Sequence, residues 1–304
     1  MKTGRLAALT SLSLPLWMAG CSLLPSTRHL PVPKAPTNVQ TVSPDQLVDQ
    51  LNQRWSALQT LNAKVSVKAS VTKQKEGLEK DYTTFPAIIL LRKPRMLRVL
   101  GQLPLLNTRM FDMASDGTNF KLWVPSRKEV VEGPDSVTKE SADQLENMRP
   151  EIFFDAMVVR GLDPDDFYSV TADSETVEDP SKKHLLIKSE YILSIVQQKP
   201  NSRQIVTKRV VIFDRTTLLP YKQDVYDESG NLETKVLYAG YRDINGVNYP
   251  STITIERPRE SYQIVLTVIS VNENQPLKDD QFAVVRPRVE VEALIAMDKA
   301  APWL

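Results

Sequence analysis

Few side chains in this 304-residue sequence could do covalent or metal chemistry, and the most promising is a single thiol. Cys21 is the only cysteine, and His29 and His184 are the only histidines. One cysteine cannot form an intramolecular disulfide, and two isolated histidines supply neither a metal cluster nor a convincing Ser-His-Asp arrangement. Asp163, Asp165 and Asp166 flank Pro164 without EF-hand spacing, so they read as a solvated turn, as does Asp179-Pro180. With 10 glycines and no Gly-rich loop between strand and helix, a nucleotide site has no support. No enzyme and no metal are expected. Cys21 is different because of what precedes it. Lys2 and Arg5 lead an apolar run from Leu6 to Trp17, broken by Thr10, Ser11, Ser13 and Pro15 and closed by Met18-Ala19-Gly20-Cys21. That is the layout of a secretory signal peptide. The run is shorter than the roughly 20 residues a membrane-spanning helix needs, and the small Ala19 and Gly20 let a peptidase reach the backbone.

The four residues Met18 to Cys21 resemble the lipobox of bacterial lipoproteins, with Met18 where leucine is usual. The resemblance implies removal of residues 1–20 and attachment of diacylglycerol and an N-acyl chain, palmitate among them, to Cys21. No other cofactor is expected. Ser22, where an aspartate would signal inner-membrane retention, implies the outer membrane, with the protein lipid-anchored on its periplasmic face. Residues 21–42 carry Pro25, Pro31, Pro33 and Pro36 among small polar side chains, a composition read as an extended tether that does not pack.

The elements that would have to position any site lie beyond residue 42. The 38 basic side chains, less Lys2 and Arg5, leave 36 against 37 acidic ones, so the mature body is near neutral and carries no nucleic-acid footprint. No second linker interrupts the remainder, which is read as one domain over 43–287 with a C-terminal tail at 288–304. Ser43 as N-cap, Pro44 at the first helical position and Gln46 three residues after Ser43 form a capping box. Leu47, Leu51, Trp55 and Leu58 follow at helical spacing. From Leu61 the period becomes two: Leu61, Ala63, Val65, Val67, Ala69 and Val71 alternate with polar residues, a half-buried strand. Further strands are read at 87–91, 95–100, 108–113, 120–124, 183–189, 204–213, 221–226, 232–238, 247–256 and 262–271, with a second helical patch from Ile152 to Val159 that stops at Gly161. The fold class is mainly β (α+β), an antiparallel curved sheet forming an open half-barrel over a few helices.

An ordered series of short motifs then carries a resemblance. Ile89 to Val99 with Lys93-Pro94, the Ser115-Asp116-Gly117-Thr118-Asn119-Phe120 turn, the Val236 to Tyr241 strand, Gly246-Val247-Asn248-Tyr249-Pro250, and Asn274-Gln275-Pro276-Leu277 with Phe282 are similar to the LolA/LolB superfamily of bacterial lipoprotein carriers and receptors. Gly101 to Leu106 and Gln144 to Asp163 look closer to LolB, the outer-membrane lipoprotein receptor. The resemblance implies an apolar cavity that takes acyl chains. Inward strand positions would line it, namely Val65, Val67, Leu91, Leu97, Val99, Ile253, Ile255, Leu266 and Val268, with Leu51 and Trp55 of the first helix across it. It also implies a delivery loop at Leu103, Leu105 and Leu106. Without the resemblance the same alternation reads as an ordinary packed core. The implied partners are a lipoprotein or other acylated ligand, the membrane through the lipid anchor, and a periplasmic LolA-like carrier. The function so implied is chaperone-like lipoprotein transport: binding the acyl chains of a lipidated ligand and passing it to the outer membrane. The alternatives are a structural or assembly lipoprotein that keeps the fold without transporting, and an envelope stress sensor.

Membrane attachment through Cys21 has a direct check. Cys21→Ser is expected to yield a soluble or uncleaved species, because acyl chains supply the membrane affinity. Fractionation after alkaline and high-salt washing decides the matter, and a correctly processed mutant that stays with membranes would overturn the lipoprotein reading.

Overall fold

The computed structural model describes residues 32–73, 78–104, 108–135, 148–178, 185–284 and 293–296. Helix α1 spans Pro44–Ala57, followed by strands β1 (Thr60–Lys73), β2 (Leu78–Asp81), β3 (Phe85–Arg92), β4 (Met96–Gln102), β5 (Arg109–Ser115), β6 (Asn119–Val124) and β7 (Glu129–Pro134). Helix α2 spans Pro150–Met157. After it come β8 (Phe167–Glu178), β9 (Leu185–Gln198), β10 (Ile205–Asp214), β11 (Leu219–Tyr226), β12 (Leu232–Ile244), β13 (Val247–Arg257), β14 (Tyr262–Glu273) and β15 (Ala293–Ala296).

All fifteen strands join one sheet in the order β15-β7-β6-β5-β4-β3-β1-β14-β13-β12-β11-β10-β9-β8, with β2 extending the edge of β1. Neighbours are antiparallel except β15, which runs parallel to β7. The two ends of this order do not pair, so the sheet is open. Both halves are meanders whose hairpin connections are short, and β1 joins them by pairing with β3 on one side and β14 on the other. Register shifts at Lys64/Val65 in β1, Gly101/Gln102 in β4 and Thr207/Arg209 in β10 interrupt the ladders. Such irregularities bend a sheet and raise its twist, which is how an open sheet curls around a core.

The alternation read from the sequence becomes continuous rows on the inner face. Val131, Leu122, Met113, Val99, Ile89, Ala63 and Val271 stand side by side across seven strands, and each is buried. A second row runs Val211, Gln223, Val236, Ile255, Ile264 and Ala69. Its one polar member, Gln223, is buried as deeply as its neighbours.

The first helix begins as the capping box requires. Ser43 Oγ accepts from the Gln46 amide at 3.2 Å while Gln46 Oε1 accepts from the Ser43 amide at 2.9 Å. The helix buries Leu47, Val48 and Leu51 against Tyr191, Leu193, Ile195, Val211, Phe213 and Leu218, a cluster of its own over β9 and β10. One turn later Trp55 leaves that cluster and packs on the larger one, edge-on to Phe154 of α2 with ring centroids 6.3 Å apart. The larger cluster fills the space between α2 and strands β1, β3 to β7 and β12 to β14.

Several expectations are corrected. The tether was expected not to pack, yet from Lys34 onward it docks. The Lys34 amide donates to Leu185 O and its carbonyl accepts from Ile187, both at 2.9 Å, and the Gln40 amide donates to Arg215 O at 2.8 Å. Strand β10 reaches only to Glu190 of β9, so the start of β9 has a free side that an extended segment can occupy. The C-terminal tail supplies β15 beside Glu129 to Glu132. The second helix ends at Met157, before Gly161. Asp166 is no solvated turn residue, because its buried carboxylate accepts from Lys208 Nζ at 2.6 Å and from the Asp163 amide at 2.9 Å. Strands β7 and β8 were not read at all.

Segment 274–282 lies on the outer face, where the motif residues find their partners. Asn274 accepts from the Gln59 amide at 2.7 Å and donates to Ala57 O at 3.0 Å, closing the end of α1. Arg98 donates from Nε and Nη2 to buried Asp112 at 2.9 and 2.7 Å and from Nη1 to Gln281 O at 3.0 Å. The Arg92 guanidinium covers the Phe282 ring at 5.0 Å.

The interlock of α1 with the segment after α2 depends on a missing side chain. A Cβ on Gly161 would lie 2.6 Å from Asn52 Oδ1 and 2.9 Å from Trp55 Cδ1, and the same Asn52 oxygen accepts from the Leu162 amide at 2.9 Å. Gly161→Ala is therefore expected to destabilise the fold by about 1–3 kcal/mol, the usual cost of overpacking. Urea denaturation checks it, and an unchanged midpoint would show that α1 can shift without loss.

Candidate functional site

The inner face brings together the strand residues that the sequence marks. Val65, Val67, Leu91, Leu97, Val99, Ile253, Ile255, Leu266 and Val268 all belong to the larger cluster, with exposures of 0–4 %. A wall residue of an open cavity would present surface to it, so this face is packed in the structure. Leu51 does not join them but lies in the α1 cluster, because residues one turn apart on α1 sit over different strands; Trp55 does join, as a partly buried neighbour. Leu103 is 37 % exposed at the β4–β5 turn. Leu105 and Leu106 lie outside the described residues, as do Cys21, His29 and His184.

What packs the face is α2. Ile152, Phe153, Phe154, Ala156 and Met157 are all buried in an eight-residue helix that turns apolar side chains to almost every direction. Such a helix has no stability of its own in water; it exists because the sheet covers it. Toward the rim at the β4–β5 turn, Phe111 lies over Gly101, its directly paired residue, where a Cβ would come within 2.5 Å of the ring. Phe85 meets Phe111 edge-on at 5.9 Å. Phe85, Phe111, Val71 and Tyr262 keep slightly more exposure than the deep rows, 5–9 %, and they form the rim of the apolar face.

The attachment of α2 is polar and concentrated at one end. The last carbonyls of a helix have no partner within it, and here the sheet supplies donors. Gln223 Nε2 donates to Asp155 O at 3.0 Å, and Tyr249 Oη donates to Met157 O. Just beyond the helix, Arg209 donates to Arg160 O at 2.9 Å and Gly161 O at 2.7 Å. A guanidinium near a helix C-terminus also meets the negative end of the helix dipole. Burial, and then neighbouring Arg160, pull Arg209 below its ordinary pKa, whereas the Asp155 carboxylate, 2.9 Å from Arg160 Nε, raises that of Arg160. Burial holds the Tyr249 hydroxyl well above its usual range, so it stays a donor. At the other end of α2, Glu151 pairs with Arg95 at 2.8 Å.

This anchorage is incomplete. Gln223 Oε1 and the Tyr238 hydroxyl are buried without a hydrogen-bond partner among the described residues. A buried group left unpaired costs about 1–3 kcal/mol, so the polar seam around α2 is poorer than the apolar packing beside it. Sequence reading missed Gln223, Arg209 and Tyr249 as functional residues. The available signal was a polar residue at an inward strand position, which alternation alone does not set apart from noise.

A second seam holds α1. Lys93 donates from Nζ to Trp55 O and sits 4.1 Å over the indole ring. Burial lowers its pKa. Among the described residues no helix is long and apolar enough to cross a membrane, and no three His, Cys, Asp or Glu side chains are grouped to hold a metal ion.

Removal of one donor should be felt at α2 first. Tyr249→Phe and Gln223→Leu are each expected to lower stability by about 1–3 kcal/mol, through a buried carbonyl left without its donor. Amide hydrogen exchange should show the loss as faster exchange in Ile152 to Val158. Protection lost evenly over the whole sheet would mean that α2 is not a separable unit.

One protein-family model, described only as "-like: Uncharacterized protein", matches residues 163–285. No curated protein matches the chain. Among solved structures, the chain is similar to a LolA superfamily protein from Nitrosomonas europaea, at 14 % identity and a TM-score of 0.47 over 80 % of this chain and 99 % of that one. It is similar to a DUF1329 family protein from Desulfovibrio piger, at 17 % identity and 0.49 over 78 % and 95 %. A third similarity is to a putative outer membrane lipoprotein-sorting protein domain from Vibrio parahaemolyticus, at 14 % and 0.44 over 78 % and 94 %. The nearness to LolB read at Gly101 to Leu106 and Gln144 to Asp163 is not supported by these likenesses. The open antiparallel sheet with α1 and α2 on its inner face is the curved half-barrel expected from the sequence.

Proposed function

We propose that the chain binds the acyl chains of a lipidated ligand on the inner face, with α2 as the element that yields, and passes that ligand to the outer membrane. The observation that carries the proposal is the character of α2: a short, nearly all-buried helix that fills an apolar face and is held by a few hydrogen bonds at its C-terminal end and an ion pair at its start. Exchange of helix for ligand is energetically balanced. Ile152, Phe153, Phe154 and Met157 contribute about 1.5–3 kcal/mol each by burial, or roughly 6–12 together. An acyl chain of about 15 carbons gains about 0.8 kcal/mol per methylene, on the order of 12 in all. A face that can exchange one occupant for another at little net cost suits uptake and release. Direction then follows from a difference in affinity between donor and acceptor, without nucleotide hydrolysis.

Delivery falls to the β4–β5 turn. Leu103 stands exposed there beside exposed Pro104, and Leu105 and Leu106 follow in sequence, too apolar for an ordinary solvated turn. Each leucine buried in a lipid surface contributes about 1.5–3 kcal/mol. The membrane anchor at Cys21 keeps this turn near its target.

A fluorescent fatty acid tests the binding step and vesicle transfer tests the delivery step. Saturable binding is expected for the wild type and tighter binding, by several-fold, for Tyr249→Phe, since weaker closure of α2 removes part of the cost of opening. Leu105→Glu with Leu106→Glu should leave folding and fatty-acid affinity unchanged and abolish transfer of bound cargo to vesicles. No saturable binding in either wild type or Tyr249→Phe would defeat the carrier reading. Transfer at the wild-type rate by the double variant would remove the turn from it.

A further inference from the structure

The two edges of the sheet are treated differently. At one, the chain's own β15 pairs with β7 in parallel. At the other, β8 runs for 12 residues with no further strand beyond it among the described residues. Its pairing with β9 is unbroken from Phe167 opposite Val196 to Glu178 opposite Leu185, without a register shift. Natural edge strands are short, bulged, covered, or marked by lysine or proline, since an open edge recruits other strands. Typical strands run about 5–6 residues. Apart from its acidic side chains, strand β8 lacks such protections: it is long, regular and uncovered among the described residues, and FYSVTADSETVE contains neither lysine nor proline.

It does carry charge of one sign. Asp173, Glu175 and Glu178 are acidic and exposed, and no basic residue stands on the strand. Asp173 and Glu175, two apart, share a face with Phe167 and Val177, and Phe167 is 57 % exposed. Inward along the sheet, Asp173 is opposite Glu190 and Glu175 opposite Lys188; Lys188 lies over the Tyr221 ring. Glu190 is bonded by Tyr221. Among the described residues, Lys188 is the one cation that stands directly opposite this acidic row on β9.

We propose that β8 is an acceptor edge for an extended, basic segment of a partner protein, which adds a strand to the sheet. The backbone of β8 supplies the hydrogen bonds, and side-chain pairing supplies the choice of partner. Lysine or arginine two residues apart would stand opposite Asp173 and Glu175, between apolar residues opposite Val177 and Phe167. A second copy of the chain fits poorly, because it would bring one acidic strand against another, and like charges across a strand pair are destabilising. This proposal is independent of the acyl-binding face, which lies on inner-facing residues of other strands.

The probe is a synthetic twelve-residue peptide, acetylated and amidated at its ends, with two lysines two apart between valines on one face and threonine elsewhere. Fluorescence anisotropy with the full delipidated chain should show saturable binding. Asp173→Lys with Glu175→Lys should weaken it by about tenfold or more, and a peptide with glutamate in place of lysine should recover binding to that variant. Because these side chains are exposed, the variant should keep the wild-type melting temperature. Methylation of alternate peptide amide nitrogens should abolish binding, since strand pairing needs them as donors. The proposal is overturned by the absence of saturable binding, by equal binding of a shuffled peptide of the same composition, or by indifference to the two substitutions. A concentration-dependent dimer in sedimentation, lost in the same variant, would assign the edge to a second copy and overturn it too.

Discussion

Inner rows of Val, Ile, Leu and Met run across most of the sheet, and an open sheet cannot cover them with its own strands. Closure into a barrel would solve the problem by bringing a second wall opposite the first. In this chain helices solve it, with α1 over β9 and β10 and α2 over the remainder. Because the cover is a separate element from the wall, the two can in principle part without breaking the ladder of strand pairs. That separation is what the proposed exchange of an internal occupant requires.

The cost of separation is set by where the polar contacts fall. The carbonyls at the end of α2 are bonded by Gln223 and Tyr249, on β11 and β13, and those of Arg160 and Gly161 just beyond it by Arg209 on β10. These three donors sit on three different strands, so the chain at and just after the helix end is positioned by β10, β11 and β13 together. Gly161 continues the same seam by admitting Asn52 and Trp55 of α1, which couples the two helices. Trp55 in turn touches both Phe154 of α2 and Lys93 at the β3–β4 turn, so the two helices share packing partners.

Much of this was legible in the residues. The capping box at Ser43 and Gln46 is a local rule obeyed within four residues, and it sets the start of α1. Strict alternation from Leu61 to Val71 identified both β1 and its inner face, because one-sided burial writes its period into the sequence. Strand β8 was invisible for the same reason in reverse: with both faces exposed along most of its length, nothing selects alternation. Strand β7 was missed because Glu129, Val130, Val131 and Glu132 have both valines buried on opposite faces, Val130 against the outer side, so the period of two is lost. The packing of Lys34 and Gln40 depends on where β10 happens to end. The donors to α2 were illegible because a glutamine or arginine facing inward has meaning only once the helix end it serves has been placed.

The position of β1 carries a kinetic consequence. The first strand among the described residues is the hub between the two meanders, and one of its partners, β14, is the last long strand to be made. Local hairpins from β3 to β7 and from β8 to β14 can form as soon as they are synthesised, yet the ladder that joins them closes a loop of nearly the whole domain. Non-local closure of this kind slows folding. Until β14 emerges, one full side of β1 stays unpaired, and the two meanders await their seam. Such a delay leaves the halves joined by little more than the covalent chain until the last long strand is in place.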